Sequence, residues 1–358
     1  MGSTDSAGPS IPAEPGLVTA EWLTTALTAT FPDIEVAGVE VLDQHSGTTG
    51  RLRLGLTHGP GSTGPATVFV KMAPFDDGQR RLVAATDMGR REARFYEGPA
   101  AEAPVLLPRP YHAAHGDDPS QYVMVLEDLV GAGCTFADGA HSDTAEHNQQ
   151  LIEVLAGLHA RFWNDERFAG ELRWVPPAMR GALGAQLIDN ARHMFGTEMP
   201  PVFTELCRLY SEHHEPVCDL WDEGEQTLIH GDTHTGNQFV REGRVGLYDW
   251  AVISRSPGIR DVAIHLGNSC PTDLRRQHEQ RWVSAYHRAL VEAGVDAPSC
   301  DTLWQRYRRA VLYAWVAATA TASMGSTWQP VAVGMAAMER ATTACADLET
   351  VEAVREAL

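Results

Sequence analysis

The chain has 358 residues, 44% of them hydrophobic, enough to bury a full core and to build two lobes. Lys and Arg number 28 against 47 Asp and Glu, a formal net charge of −19, so a phosphate backbone or an anionic membrane is repelled overall and neither nucleic acid nor a membrane is expected as a partner. No apolar run reaches the roughly 18 residues a bilayer span requires, the N-terminus has no basic start followed by an apolar core, and the 6 cysteines form no CxxC pair; reduced thiols and a cytoplasmic location are expected.

In chain order, residues 1–16 are rich in Gly, Pro, Ser and Ala and read as a disordered tail. Trp22, Leu23, Ala26 and Leu27 share one face of a short helix over 17–30. Strand-like runs follow at 34–42, at 51–56, where RLRLGL alternates cleanly, and at 67–72, with turns at 45–50 (HSGTTG) and 58–65 between them. A helix around 86–96 precedes two more strand candidates, 109–114 and 121–129. After 131–139 the period changes: Leu151, Val154, Leu155, Leu158 and Phe162 keep helical spacing behind a cap at Ser142 or Asp143, and further helices fill 176–222 and 271–356. The expected organisation is an α+β chain, with an antiparallel-sheet lobe over 17–130 and a larger, mainly helical lobe over 131–358.

The densest chemistry lies in 228-LIHGDTHTGNQFV-240. Asp232 and Asn237 have the order and spacing of a phosphoryl-transfer loop, which needs a carboxylate to accept the proton of an attacking hydroxyl and an amide oxygen to hold magnesium on nucleotide phosphates. A hairpin through 238–250, turning at Gly243, ends on Asp249, a second oxygen ligand for the same hard cation. His230 reads as a loop-positioning side chain and His234 as an orienting group. Such a loop requires a phosphate-contacting lysine on a central strand and an acid on the following helix to hold it. Lys71, alone amid apolar residues, and Glu92 fill these places, with Phe95 and Tyr96 one turn later able to pack that helix on the sheet. The turn Ser46, Gly47, Thr48, Thr49 can lay backbone N–H groups over phosphates, and the backbone at Glu127 and Leu129 can meet a purine edge.

Taken together, Lys71, 92-EARFY, 124-MVLEDL, 155-LAGLHARFW, 229-IHGDTHTGN, 247-LYDW and 260-RDVA resemble the aminoglycoside phosphotransferase and choline kinase superfamily, and the LHxxFW and HGDxHxGN phrasing is most similar to its ecdysteroid-kinase-like branch. The resemblance implies a bilobal protein-kinase-like fold and transfer of a phosphoryl group from ATP or GTP, with Mg2+, to a small-molecule hydroxyl. It implies Asp232 as base, Asn237 and Asp249 as metal ligands, Lys71 on the phosphates, Glu92 paired with Lys71, and Glu127 with Leu129 as the hinge. Gly231 stands where protein kinases carry Arg, which removes a partner for an activation-loop phosphate and suits unregulated small-molecule activity.

Two other readings stay open on the sequence. His230, Asp232, His234 and Asp249 could form a metal-dependent hydrolase site, or the fold could bind nucleotide without catalysis. The acceptor could be an antibiotic, sugar, nucleoside or steroid-like natural product. Asp165, Glu166, Asp222, Glu223 and Glu225 would suit a cation, whereas Trp163, Trp221 and Trp250 would wall an apolar pocket.

Overall fold

A computed structural model describes residues 8–136, 144–178, 180, 182–325 and 330–358. It resolves into two compact units. The first runs to Ala103 and adds Leu107–Thr135 and Tyr248–Ala251; the second comprises Pro104–Leu106, Phe136–Leu247 and Val252–Leu358.

The first unit is an antiparallel sheet of β1 (Val36–Ser46), β2 (Gly50–His58), β3 (Thr67–Met72), β4 (Pro110–His115) and β5 (Tyr122–Glu127), in the order β1-β2-β3-β5-β4. Alternation sorts the two faces. Leu52, Leu54, Val68, Val70, Val123 and Val125 pack with Trp22, Leu23, Ala26 and Leu27 of α1 (Ala20–Leu27), and the residues between them take the opposite face. Arg51 lies directly across from Lys71, and Lys71 from Met124.

Two short features depart from the sequence reading. Residues 8–16 are not a free tail, because the Trp22 indole donates to the Ser10 carbonyl at 2.7 Å and Ile11 packs against the sheet core; residues 1–7 lie outside the described residues. An unanticipated helix, α2 (Asp77–Ala84), starts at Asp76, whose carboxylate accepts the Gln79 N–H at 2.9 Å. It precedes α3 (Met88–Glu97), and a two-residue strand, β6 (Thr135–Phe136), stands where the chain leaves the unit.

The second unit opens with α4 (Ala145–Arg161), capped by Thr144, whose hydroxyl accepts the His147 N–H at 3.1 Å. The expected cap at Ser142 or Asp143 falls outside the described residues. Next come α5 (Ala182–Phe195) and α6 (Pro201–Trp221), the latter kinked at His213 ahead of Pro216, which has no N–H to give the helix. β7 (Thr227–Ile229) pairs antiparallel with β10 (Ser254–Ser256). Between them β8 (Gln238–Arg241) and β9 (Arg244–Leu247) form the expected hairpin, turning through Glu242 and Gly243, both left-handed. The strand stops at Leu247, short of Asp249. α7 (Ile259–Ile264) passes into a π-helical turn, His265–Ser269, and α8 (Thr272–Glu292), α9 (Cys300–Ser323), α10 (Val331–Asp347) and α11 (Thr350–Arg355) complete the unit. No described helix is long and apolar enough to cross a membrane.

Arg275 of α8 is buried, so its charge must be met inside the unit. Glu279 accepts from its guanidinium at 2.7 Å, Asp347 accepts from it as well, and the Tyr307 hydroxyl donates to Glu279 at 3.0 Å. Glu279→Ala leaves a buried guanidinium half-paired, and urea denaturation is expected to show a loss of about 3 kcal/mol. A loss under about 1 kcal/mol, the range of a surface pair, would contradict this account.

Candidate functional site

In the first unit, Lys71 Nζ lies 2.5 Å from Glu92 Oε2 and 3.0 Å from Asp249 Oδ1. Both Lys71 and Glu92 are buried. β3 turns its valines into the core and so sends Lys71 to the other face, where α3 presents Glu92. Burial pushes the Glu92 carboxyl above the usual carboxylate range, opposed by the Lys71 ammonium. The second Glu92 oxygen accepts the Trp250 N–H at 3.1 Å, and the Trp250 ring stacks on Phe95 with centroids 4.1 Å apart. These contacts explain why Tyr248–Ala251 belongs to this unit. They also place Phe95 on an indole. Asp249 has φ +63°, a left-handed conformation that Asp tolerates better than most residues, and its Oδ2 takes the Arg51 guanidinium at 3.2 Å.

The turn at 46–49 is tied down by its own polar groups. Ser46 Oγ accepts the Phe75 N–H at 3.0 Å, the Gly47 N–H donates to the Thr49 carbonyl at 3.1 Å, and buried Thr49 Oγ1 accepts from Arg51 Nε at 3.1 Å. The Gly47 N–H is therefore spent within the turn rather than offered outward. Gly50, next in line, is required by close approach: a Cβ there would sit 2.3 Å from the Phe75 ring and 2.6 Å from the Ala73 carbonyl oxygen. At the end of β5, the Glu127 N–H donates to the Arg109 carbonyl at 2.8 Å and the Leu129 carbonyl accepts from Cys134 at 3.0 Å.

In the second unit, β7 delivers the loop 230–237. Asn237 Nδ2 donates to the Asp232 carbonyl at 2.8 Å and to its Oδ2 at 3.1 Å, which leaves the amide oxygen on the side away from that carboxylate. His234 Nδ1 accepts the Gly236 N–H at 3.0 Å, so the ring proton sits on Nε2, 3.3 Å from Asp232 Oδ2. Buried His230 accepts the Asp232 N–H on Nδ1 at 3.2 Å. Gly231 has φ +82°, and a Cβ would lie 2.5 Å from the Val252 carbonyl oxygen; no side chain fits there.

Asp261 stands in the quoted 260-RDVA motif, but the sequence reading gave it no role. It is fully buried and its two oxygens accept the N–H groups of His230 and Gly231, each at 2.8 Å, while its carbonyl accepts from Thr233 Oγ1 at 2.6 Å. His159 Nε2 stands 3.2 Å from Oδ2, and its Nδ1 takes the Tyr286 hydroxyl at 2.8 Å. An acid amid the apolar residues of IRDVAI was the available signal, because a buried carboxylate demands donors. Farther along, Ser269 Oγ accepts the Thr235 N–H at 3.0 Å. Gln238 is held on both amide atoms: Oε1 by His147 Nε2 at 2.7 Å, and Nε2 by the Thr233 carbonyl at 2.9 Å and His265 Nδ1 at 3.2 Å. His265 Nε2 then donates to Asn148 Oδ1 at 2.6 Å.

The acceptor expectations shift. Asp165 pairs with Arg167, Asp222 with Arg180 and Arg260, and Glu225 with Arg306, so these acids already have cations. Trp250 is stacked on Phe95 and Trp221 is buried beneath the Arg260 guanidinium; both are core. Among the described residues no three His, Cys, Asp or Glu side chains are grouped so as to hold a metal ion.

The fold is protein-kinase-like. The chain is similar to the GDP complex of wild-type aminoglycoside 2'-phosphotransferase-IIIa, with a TM-score of 0.52 and 15% identity over 90% of this chain and 98% of that one. It is also similar to a putative aminoglycoside phosphotransferase from Ralstonia eutropha JMP134, with a TM-score of 0.53 and 15% identity over 91% and 97%. For an ethanolamine kinase of Plasmodium vivax the TM-score is 0.52 and the identity 14%, over 87% and 83%. No curated protein matches in sequence. Residues 63–321, well over half of the chain, match the model of the phosphotransferase enzyme family, and the chain belongs to that family.

Two measurements probe this loop. Asp261→Asn turns an amide N–H toward one of the two backbone donors, and a stability loss of about 3 kcal/mol is expected by denaturation, with turnover falling alongside; an unchanged midpoint would deny it the supporting role. His265 is pushed from its ordinary value of 6.5 down to about 3, first by burial and then by His147. A depressed folded value means the contribution is complete above pH 6.5 and is lost as pH falls toward 3. At pH 5 the loss is about 2 kcal/mol. Unfolding of wild type and His265→Gln at pH 7 and pH 5 should show that share of the acid sensitivity only in wild type.

Proposed function

We propose that this phosphotransferase carries the γ-phosphoryl group of ATP or GTP to a hydroxyl of a small molecule. The acceptor oxygen gives its proton to the Asp232 carboxylate and bonds to the γ-phosphorus. The bond from that phosphorus to the β–γ bridging oxygen breaks, and the nucleoside diphosphate leaves with the electron pair. The observation that carries this reading is the agreement of two separately built sets: Lys71 locked by buried Glu92 on one unit, and Asp232 hydrogen-bonded to Asn237 on the other.

Lys71 would neutralise donor phosphate oxygens, positioned by Glu92. Ser46, Gly47, Thr48 and Thr49 would cover the phosphates, and the backbone of Glu127 and Leu129 would meet the purine, without the Gly47 N–H, the Glu127 N–H or the Leu129 carbonyl, which are engaged elsewhere. His234 would hold Asp232 through its Nε2 proton and His230 would hold the loop backbone. Asn237 and Asp249 offer an amide and a carboxylate oxygen, donors that suit Mg2+, a cation that typically takes one or two carboxylates plus substrate phosphates. Mg2+ would supply charge neutralisation on the donor.

The acceptor belongs, on this reading, to the antibiotic, sugar, nucleoside or steroid-like alcohols, and the enzyme to the ecdysteroid-kinase-like branch and the cytoplasm. The branch is supported by LHARFW and HGDTHTGN, since His159 of the first phrase reaches the Asp261 carboxylate that supports the second. An aminoglycoside-type polycation is less favoured, because three of the flanking acids are paired internally.

Diphosphate release should be screened with ATP and GTP against aminoglycosides, macrolides, sugars, nucleosides, choline and sterols. Asp232→Asn is expected to lower turnover by about 10²–10⁴-fold, and Asp249→Ala to abolish it, both with native circular dichroism. Near wild-type turnover in either variant would overturn the assignment.

A further inference from the structure

We propose that Arg51 is a second donor-phosphate cation beside Lys71, an inference that rests on the phosphotransfer reading above. Arg51 and Lys71 are register partners on β2 and β3, so both side chains stand on the same face of the sheet. Like charges directly opposite each other are destabilising, and the chain meets the conflict with one shared anion. Asp249 Oδ1 takes Lys71 Nζ at 3.0 Å and Oδ2 takes Arg51 Nη2 at 3.2 Å. Asp249 is also the carboxylate assigned to Mg2+. Once it turns to the metal, Lys71 keeps Glu92 while Arg51 gives up the Asp249 carboxylate, and the donor triphosphate is the anion this reaction supplies in its place.

Stability does not account for Arg51. Its side chain is 37% exposed, and an exposed pair contributes at most about 1 kcal/mol. Arg53, two residues on and on the same face, shows the contrast. Its Nε is held at 2.7 Å by Asp128, a buried carboxylate that also caps the Val130 N–H at 3.1 Å, so Arg53 is a structural pair. Arg51 is instead aimed. Thr49, buried at the end of the turn proposed to cover the phosphates, accepts from Nε at 3.1 Å and fixes the plane of the guanidinium. The terminal nitrogens form a fork that matches two phosphate oxygens, which an ammonium cannot do.

The test is calorimetric titration of wild type, Arg51→Ala, Arg51→Gln and Arg51→Lys with non-hydrolysable ATP and GTP analogues at saturating Mg2+, and with adenosine and guanosine. Triphosphate affinity is expected to fall about tenfold to hundredfold in the Ala and Gln variants, to recover in part with Lys, and to leave nucleoside affinity unchanged. Equal loss of triphosphate and nucleoside would make Arg51 structural and overturn the proposal. Unchanged triphosphate affinity would overturn it too, marking Arg51 as a mere placeholder on Asp249. If wild type binds neither triphosphate, the phosphotransfer reading itself fails; if wild type binds and the variants match it, only the role of Arg51 does.

Discussion

The arrangement around Lys71 depends on one carboxylate that never reaches solvent. Glu92 spends one oxygen on the lysine and the other on the Trp250 N–H. A buried acid this committed is costly to form and costlier to break, since removing either partner strands a charge in a low-dielectric interior. Its consequence is positional. A segment more than a hundred residues downstream in sequence is held against α3, its indole stacked on Phe95, and Asp249 is brought to the lysine in a left-handed conformation. Asp249 thereby gains a fixed location while keeping part of its surface open, as the metal-binding role proposed for it requires.

The second unit uses a different device, a buried helical segment beneath a loop. The stretch 259–269 meets the loop at three levels: Asp261 takes the N–H groups of His230 and Gly231, Ser269 takes that of Thr235, and His265 reaches Gln238. The α-to-π transition carries the last two to their places, with the Cys270 N–H returning to the His265 carbonyl at 3.0 Å. Asp232 can stay partly exposed because the backbone beside it is pinned from below by Asp261. The same logic explains Gly231, where backbone approach leaves no volume for a side chain.

Charge is organised more locally than a net −19 suggests. Several arginines of the second unit are paired with its acids, whereas on β2 and β3 Arg53 is held by Asp128, Arg51 by Asp249, and Lys71 by both Asp249 and Glu92. Such pairing neutralises the cations of β2 and β3 within the fold.

Much of this was legible in the sequence, for identifiable reasons. The period-2 runs and the lone lysine in TVFVKM determined the sheet and the face Lys71 would take, because a single charge among valines can only point away from the core. The spacing of Asp232 and Asn237 determined a loop whose two side chains touch, because five residues of tight turn bring them together. The contacts made by Asp261, His265 and Arg51 were decided only by tertiary structure. Each gains its meaning from a partner distant in the chain, and hydrophobic periodicity carries no record of which buried donor a carboxylate or imidazole will meet. The ends of β9 and the tail were likewise decided by packing: Leu247 ends its strand because Trp250 is claimed by Phe95 and Glu92, and residues 8–16 are ordered because one indole found the Ser10 carbonyl. Local pattern determines which face a residue shows; only the folded chain decides what it faces.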